Sequence, residues 1–136
     1  MDLTKPSSRY RFYVLDIPNQ RVLAQGMVCN GVTDKNKKVI YSNRPGSNAS
    51  SKGLYKVGYS YRGRFGKAYK LHGLESNNSK AFARAVVLHN YRWLPEHETG
   101  SPIVQSQDCP TVGPGFFKEL DKYIQRSRKP VLLYIQ

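Results

Sequence analysis

The sequence predicts a mainly β, β-sandwich-like domain with one helix in its C-terminal half and a final strand. Three observations carry that expectation. Short runs alternate apolar and polar residues and are rich in β-formers, with 10 Tyr in the chain. Clusters of Gly, Pro, Asn and Ser separate these runs. Apolar residues recur at a sustained helical spacing only in the stretch that begins at Pro114.

In chain order, Tyr10 to Ile17 alternates, Pro18-Asn19-Gln20 supplies a turn, and Arg21 to Val28 alternates again, so the chain opens with a β-hairpin. Asn30 to Ser51 is Gly-, Asn-, Ser- and Lys-rich and reads as a long surface loop, holding at most one short strand at Val39 to Tyr41. A loop of that length inside a compact domain is often functional. Gly53 to Tyr59 and Lys67 to Leu71 read as strands joined by a glycine-bearing turn, Arg62 to Gly66. Ser76 to Ser79 is expected to cap a helical turn through Lys80 to Ala83, before a buried strand from Arg84 to His89. Phe117, Leu120, Tyr123 and Ile124 share one face of a helix over Pro114 to Arg126, with proline near its start. Lys129-Pro130 ends it, and Val131 to Ile135 is the closing strand.

A length of 136 residues fits a single domain over residues 1–136, large enough to bury a core without disulfide or metal staples. Hydrophobic residues make up 39%, which excludes a disordered chain. The net charge of +13 is spread along the whole length and calls for an anionic partner, though charge alone does not choose among nucleic acid, membrane surface and an acidic polymer. No apolar run approaches the roughly 20 residues of a membrane span, and no N-terminal segment resembles a signal peptide. Cys29 and Cys109 are the two cysteines; neither sits in a Cys-x-x-Cys pair. Scattered His72, His89 and His97 match no common zinc spacing, so no metal and no cofactor is expected.

The chemistry concentrates between Ala85 and Pro110. An apolar run, Ala85 to Leu88, delivers His89, and a polar loop then leads to Ser106-Gln107-Asp108-Cys109-Pro110. A cysteine attacks as thiolate, and an ordinary thiol with a pKa of about 8.5 needs an imidazole or a positive field to reach that form at neutral pH. His89 supplies the imidazole if the fold brings strand end and loop together, and the carbonyl of Asn90 is a fitting acceptor for its other nitrogen. Cys29, in a strand-like run, is expected to be a small buried apolar residue. His72 reads as structural and His97, between two glutamates, as solvated.

Beyond the pair, Asn43 to Tyr55, Tyr69 to Leu74, Arg84 to His89 and the Ser106-x-x-Cys109-Pro110 segment resemble, in order, the motifs of the murein L,D-transpeptidase (YkuD-type) catalytic domain family. His89 and Ser106 are separated by sixteen residues, as in that family's signature. The resemblance implies a bacterial envelope enzyme, periplasmic or secreted, acting on the stem peptides of peptidoglycan, with its export signal outside this sequence. It implies Cys109 as nucleophile, His89 as base and then acid, Asn90 as the orienter of His89, and the backbone N–H groups of Asp108 and Cys109 as the oxyanion hole. Weaker carry-overs put Ser106, Gln107, Ser51, Tyr55 and Trp93 along the cleft, with Tyr91 to Ser101 as a loop over it. The pattern departs from the family at Gln105, Gln107 and above all Asp108, where glycine is usual. Glycine permits backbone angles that Asp tolerates less well, and a carboxylate beside Cys109 disfavours the thiolate.

These residues predict a cysteine acyltransferase. The alternatives are an L,D-carboxypeptidase or amidase on the same material, and a non-catalytic basic module that binds wall polymer or nucleic acid. Tyr55, Tyr59 and Tyr61 with Lys56, Arg62 and Arg64 offer stacking and phosphate contacts, but no nucleic-acid recognition motif accompanies them, so no nucleic-acid partner is expected. The chain is expected to act as a monomer.

Overall fold

The alternation on either side of Pro18 folds as anticipated: β1 (Phe12–Asp16) and β2 (Arg21–Gly26) form an antiparallel hairpin, with Gln20 at φ 51 in the turn. The computed structural model describes all 136 residues. It is mainly β, with one α-helix and a final strand. The hairpin stands apart from a five-stranded sheet of order β6-β5-β4-β3-β7.

In that sheet, β3 (Gly53–Gly63) and β4 (Gly66–Gly73) are joined by Arg64-Phe65. Gly66 carries the positive φ of 84 that so tight a reversal requires. β3 runs four residues past the expected end at Tyr59. Its register shifts between Val57 and Ser60, and the irregularity hides the continuation from a simple alternation count. β5 (Val87–Asn90) is shorter than the expected Arg84 to His89, because Ala85 turns at φ 59. β6 (Thr111–Val112) pairs parallel to β5, and β7 (Leu132–Ile135) pairs antiparallel to β3. The long Asn30 to Ser51 segment holds only isolated bridges, Thr33 with Val39 and Tyr41 with Ser50.

The helical turn before β5 lies earlier than its sequence suggests. Ser76–Asn78 is a short 3-10 helix capped by Glu75, whose side chain and that of Asn78 satisfy each other's backbone N–H groups. Lys80 to Ala83 forms turns closed by two hydrogen bonds, Val86 N–H to Ala81 C=O at 3.0 Å and Ala85 N–H to Phe82 C=O at 3.1 Å. This is a Schellman-type ending with Ala85 in the position that normally takes glycine. Its effect is to aim the chain straight into β5.

The helix α1 (Pro114–Arg126) has the predicted bounds, with Pro114 in its first turn and its apolar face inward. Phe116 meets Phe12 edge-on at 5.5 Å, so helix and hairpin share one core with the sheet's Tyr55, Leu71, Leu88 and Leu133. The Glu96 carboxylate accepts from Gly115 and Phe116 N–H at the helix start, and Lys67 holds Asp121 at 2.8 Å to tie α1 to β4. Arg11 is almost fully buried and donates to the carbonyls of Lys5 and Val28 and to the Asn30 side chain, fixing the strand extension that carries Cys29. No helix is long and apolar enough to cross a membrane.

Candidate active site

The parallel pairing of β5 with β6 assembles the site. Its register sets His89 opposite Thr111 and Asn90 opposite Val112, an offset of 22 that carries the preceding Cys109 alongside Val87. The Val87 N–H points at the Cys109 sulfur at 3.4 Å. Cys109 and His89 therefore lie on neighbouring segments, offset by two residues or roughly 6.5 Å along the strand direction. Two residues of β6 bring them together across twenty positions of sequence.

The cysteine loop is braced on both sides. Ser106 N–H donates to Asn30 C=O at 2.8 Å, and Ser106 Oγ–H donates to the Cys109 carbonyl at 2.7 Å, closing the turn. Cys29 N–H reaches Thr111 C=O at 2.8 Å. Within the turn, Asp108 adopts φ 102, a region favoured by glycine. None of the backbone N–H groups of Gln107, Asp108 and Cys109 has a hydrogen-bond partner in the protein. Three consecutive free donors beside the thiol are groups of the kind that can meet a developing negative charge.

His89 is buried and held on every side. A carbonyl only accepts, so its 2.9 Å contact with Asn90 C=O assigns the proton to Nδ1. Nε2 is then a lone-pair nitrogen, met at 3.1 Å by the Thr111 hydroxyl, which has the Cys109 carbonyl at 3.2 Å as a second acceptor. Phe65, from the β3–β4 turn, stacks on the imidazole at 4.6 Å and 16°. Burial lowers the His89 pKa from its ordinary value, and the Asn90 carbonyl opposes that only in part. A neutral imidazole with a free lone pair is the form that takes a proton.

The Cys109 thiol has two acceptors, Asp108 Oδ1 at 3.4 Å and the Ala85 carbonyl at 3.7 Å. Burial pushes its pKa up to about 12, and the Asp108 carboxylate adds to the rise. The Asp108 carboxylate in turn faces Arg84 Nη2 at 3.5 Å. Thiol and imidazole border one cleft of about 690 Å³, whose walls also include Arg64, Phe65, Tyr91 and Gln107.

A family model described as the L,D-transpeptidase catalytic domain, of the YkuD type, matches residues 1–134. The chain belongs to that family. No curated protein and no solved structure matches it.

Several residues assigned to the L,D-transpeptidase cleft by sequence sit elsewhere. Ser51 and Tyr55 are buried in the core, where the Tyr55 hydroxyl donates to Ser51 C=O at 2.6 Å; the alternating face of β3 that carries Tyr55 points inward. Trp93 is 70% exposed outside the cleft, with Arg92 stacked on its ring at 4.7 Å. Of the Tyr91 to Ser101 loop, Tyr91 alone borders the cleft. Further along, Glu98 holds Arg9 and Tyr10 of the N-terminal segment, and His97 meets the Tyr10 hydroxyl at 3.1 Å. His72 stacks on Phe82 at 4.7 Å, and Cys29 is buried beside Met27 and Leu94. Sequence reasoning passed over Phe65, Thr111 and Arg84 as parts of the site. The one signal for Phe65 was an aromatic at the tip of a turn; it stays exposed and finds its stacking partner, His89, far away in sequence.

Proposed function

We propose that this L,D-transpeptidase domain is a cysteine acyltransferase of peptidoglycan stem peptides, working in the bacterial envelope. Cys109 attacks the carbonyl of an L,D-peptide bond while its thiol proton passes to His89 Nε2. For this the Thr111 hydroxyl turns to the Cys109 carbonyl and the sulfur swings off Asp108. The carbonyl oxygen gains the negative charge and is met by the free N–H groups of Asp108 and Cys109. As the intermediate collapses, the C–N bond breaks and His89 returns the proton to the departing amine of D-alanine, leaving a Cys109 thioester. An acceptor amine then attacks the thioester and gives its proton to His89; the C–S bond breaks, and His89 returns that proton to the sulfur to restore the thiol. Asn90 holds the imidazole in the tautomer that both halves need.

The observation that carries this reading is the meeting of Cys109, His89 and three unbonded backbone N–H groups in one cleft of a chain in this family. The net charge of +13 suits a polymer bearing carboxylates. The test incubates the protein and its Cys109→Ala variant with disaccharide-tetrapeptides and follows products by mass spectrometry. Cross-linked dimers lacking one D-alanine are expected from the parent protein and none from the variant. Tripeptides alone would reassign the chain as an L,D-carboxypeptidase, and no turnover by the parent would overturn the enzyme reading.

A further inference from the structure

The residue that departs most from the family is not left idle by the fold. Asp108 occupies a backbone conformation at φ 102 that favours glycine and strains any other residue. Its two carboxylate oxygens are divided between two partners. Oδ1 lies 3.4 Å from the nucleophile's sulfur and Oδ2 lies 3.5 Å from Arg84 Nη2. The Arg84 side chain is only 2% exposed and is itself anchored, donating to Ser42 C=O at 2.9 Å, Ala49 C=O at 2.9 Å and Ser47 Oγ at 3.1 Å. The buried cation is thus tied down by the long Asn30 to Ser51 segment and leaves Asp108 little freedom to turn away.

The consequence falls on Cys109. Val87 N–H and the Asp108 and Ala85 acceptors occupy the sulfur, and no hydrogen bond joins it to His89. On the imidazole side, Nε2 is occupied by Thr111. Nucleophile and base are close by register yet each is engaged elsewhere. We propose that Asp108, braced by Arg84, is a positioning residue that parks the Cys109 thiol away from His89, so that the site is poised but latched until a substrate carbonyl displaces the carboxylate.

This rests on Cys109 being the nucleophile, yet it concerns the thiol itself and is testable without any acyl substrate. A carboxylate against the thiol holds its proton in place, and the charges that share the cleft with it are few. Arg84 comes from the turn before β5 and His89 from β5 itself. Arg64 comes from the β3–β4 tip, Tyr91 from just beyond β5, and Cys29 from the strand extension beside β6. Of these only Arg84 touches Asp108. Removing the carboxylate therefore leaves the thiol with a peptide N–H donor, a carbonyl and a nearby cation, all without a competing negative charge.

The experiment measures the rate at which iodoacetamide alkylates Cys109 from pH 6 to pH 10, read by peptide mass spectrometry. It compares the parent protein with Asp108→Asn and Asp108→Gly, each checked for unchanged thermal unfolding. Asp108→Asn keeps the shape and removes the charge; its alkylation profile is expected to move at least one pH unit toward acid, about tenfold faster at pH 7. Asp108→Gly is expected to move it as far or further, since it also frees the turn. Asp108→Glu, retaining the charge, is expected to stay near the parent profile. Profiles of Asn and Gly variants that coincide with the parent would overturn the latch. A shift in these profiles with no turnover of tetrapeptides would leave the latch standing and sink the transpeptidase reading, whereas turnover without a shift would do the opposite.

Discussion

The two cysteines border the same cleft and share the same direction of pKa, yet their neighbours are reversed. Burial pushes both thiols up to about 12. Cys29 then has the Arg11 cation working against that rise, while Cys109 has the Asp108 carboxylate adding to it. Ground-state electrostatics alone do not separate the two thiols, because the Val87 N–H and the Arg84 cation work against the rise at Cys109 as Arg11 does at Cys29. Geometry picks Cys109. Cys29 is 2% exposed, in an extended segment packed on Met27 and Leu94. Cys109 sits in an irregular turn with free N–H groups beside it and an imidazole two residues along the neighbouring strand. A nucleophile is defined by what its attack can reach and what stabilises the product charge, and a depressed resting pKa is not required where a base takes the proton during attack.

The sharpest way to break this contrast is to exchange the losses. Cys109→Ala is expected to reduce acyl transfer by about 10⁴-fold or more, as removal of a covalent nucleophile does, with circular dichroism unchanged. Cys29→Ala is expected to leave kcat/KM within about twofold, since the Cys29 thiol makes no hydrogen bond to His89 or to the free N–H groups and packs on Met27 and Leu94. A carbapenem mass adduct found on Cys29 instead of Cys109 would reverse the assignment.

Next in size is His89→Gln, expected to cost about 10²- to 10⁴-fold in kcat. The pH dependence carries the sign. Burial lowers the His89 pKa, so the neutral imidazole survives to lower pH than an ordinary histidine with a pKa of about 6.5. The acid limb of kcat/KM is therefore expected below 6.5, and a limb clearly above it would mean that His89 is not the base.

What the sequence revealed of this arrangement follows a physical division. Hairpin β1–β2 and helix α1 rest on local signals, alternation around Pro18 and apolar spacing after Pro114, and both were legible. The strand β6 was not, because two residues leave no period to read, although it is the element that sets Cys109 against β5. Which face of β3 turns inward depends on β4 and β7 together, so the resemblance that put Tyr55 along the cleft could not show that it is core, nor that Ser51 beside it is buried. Phe65 on His89, Thr111 on Nε2 and Arg84 on Asp108 each join residues more than twenty positions apart, the first and last through side chains alone. Asp108 is the instructive middle case. Its departure from glycine was visible in sequence, but the positive φ and the divided carboxylate belong to the fold.

The smallest expected effect separates the cysteines by stability instead of rate. Truncating Cys29 removes one buried sulfur from a packed cluster and is expected to cost about 1 kcal/mol at pH 7, seen as a lowered Tm. Its pH dependence runs the other way. The folded-state thiol titrates at about 12, whereas in the unfolded chain it titrates at about 8.5. Between those values the folded state keeps a proton that the unfolded state has released, so this contribution is whole below 8.5 and is lost as pH rises toward 12. Cys29→Ala lacks the contribution, and its denaturation midpoint is expected to fall less steeply between pH 8 and pH 11 than that of the parent. An unchanged alkaline slope would mean that the Cys29 thiol ionises in the fold as readily as in solution. Arg11 would then outweigh burial, and the reversed electrostatics of the two sites would matter more than their geometry.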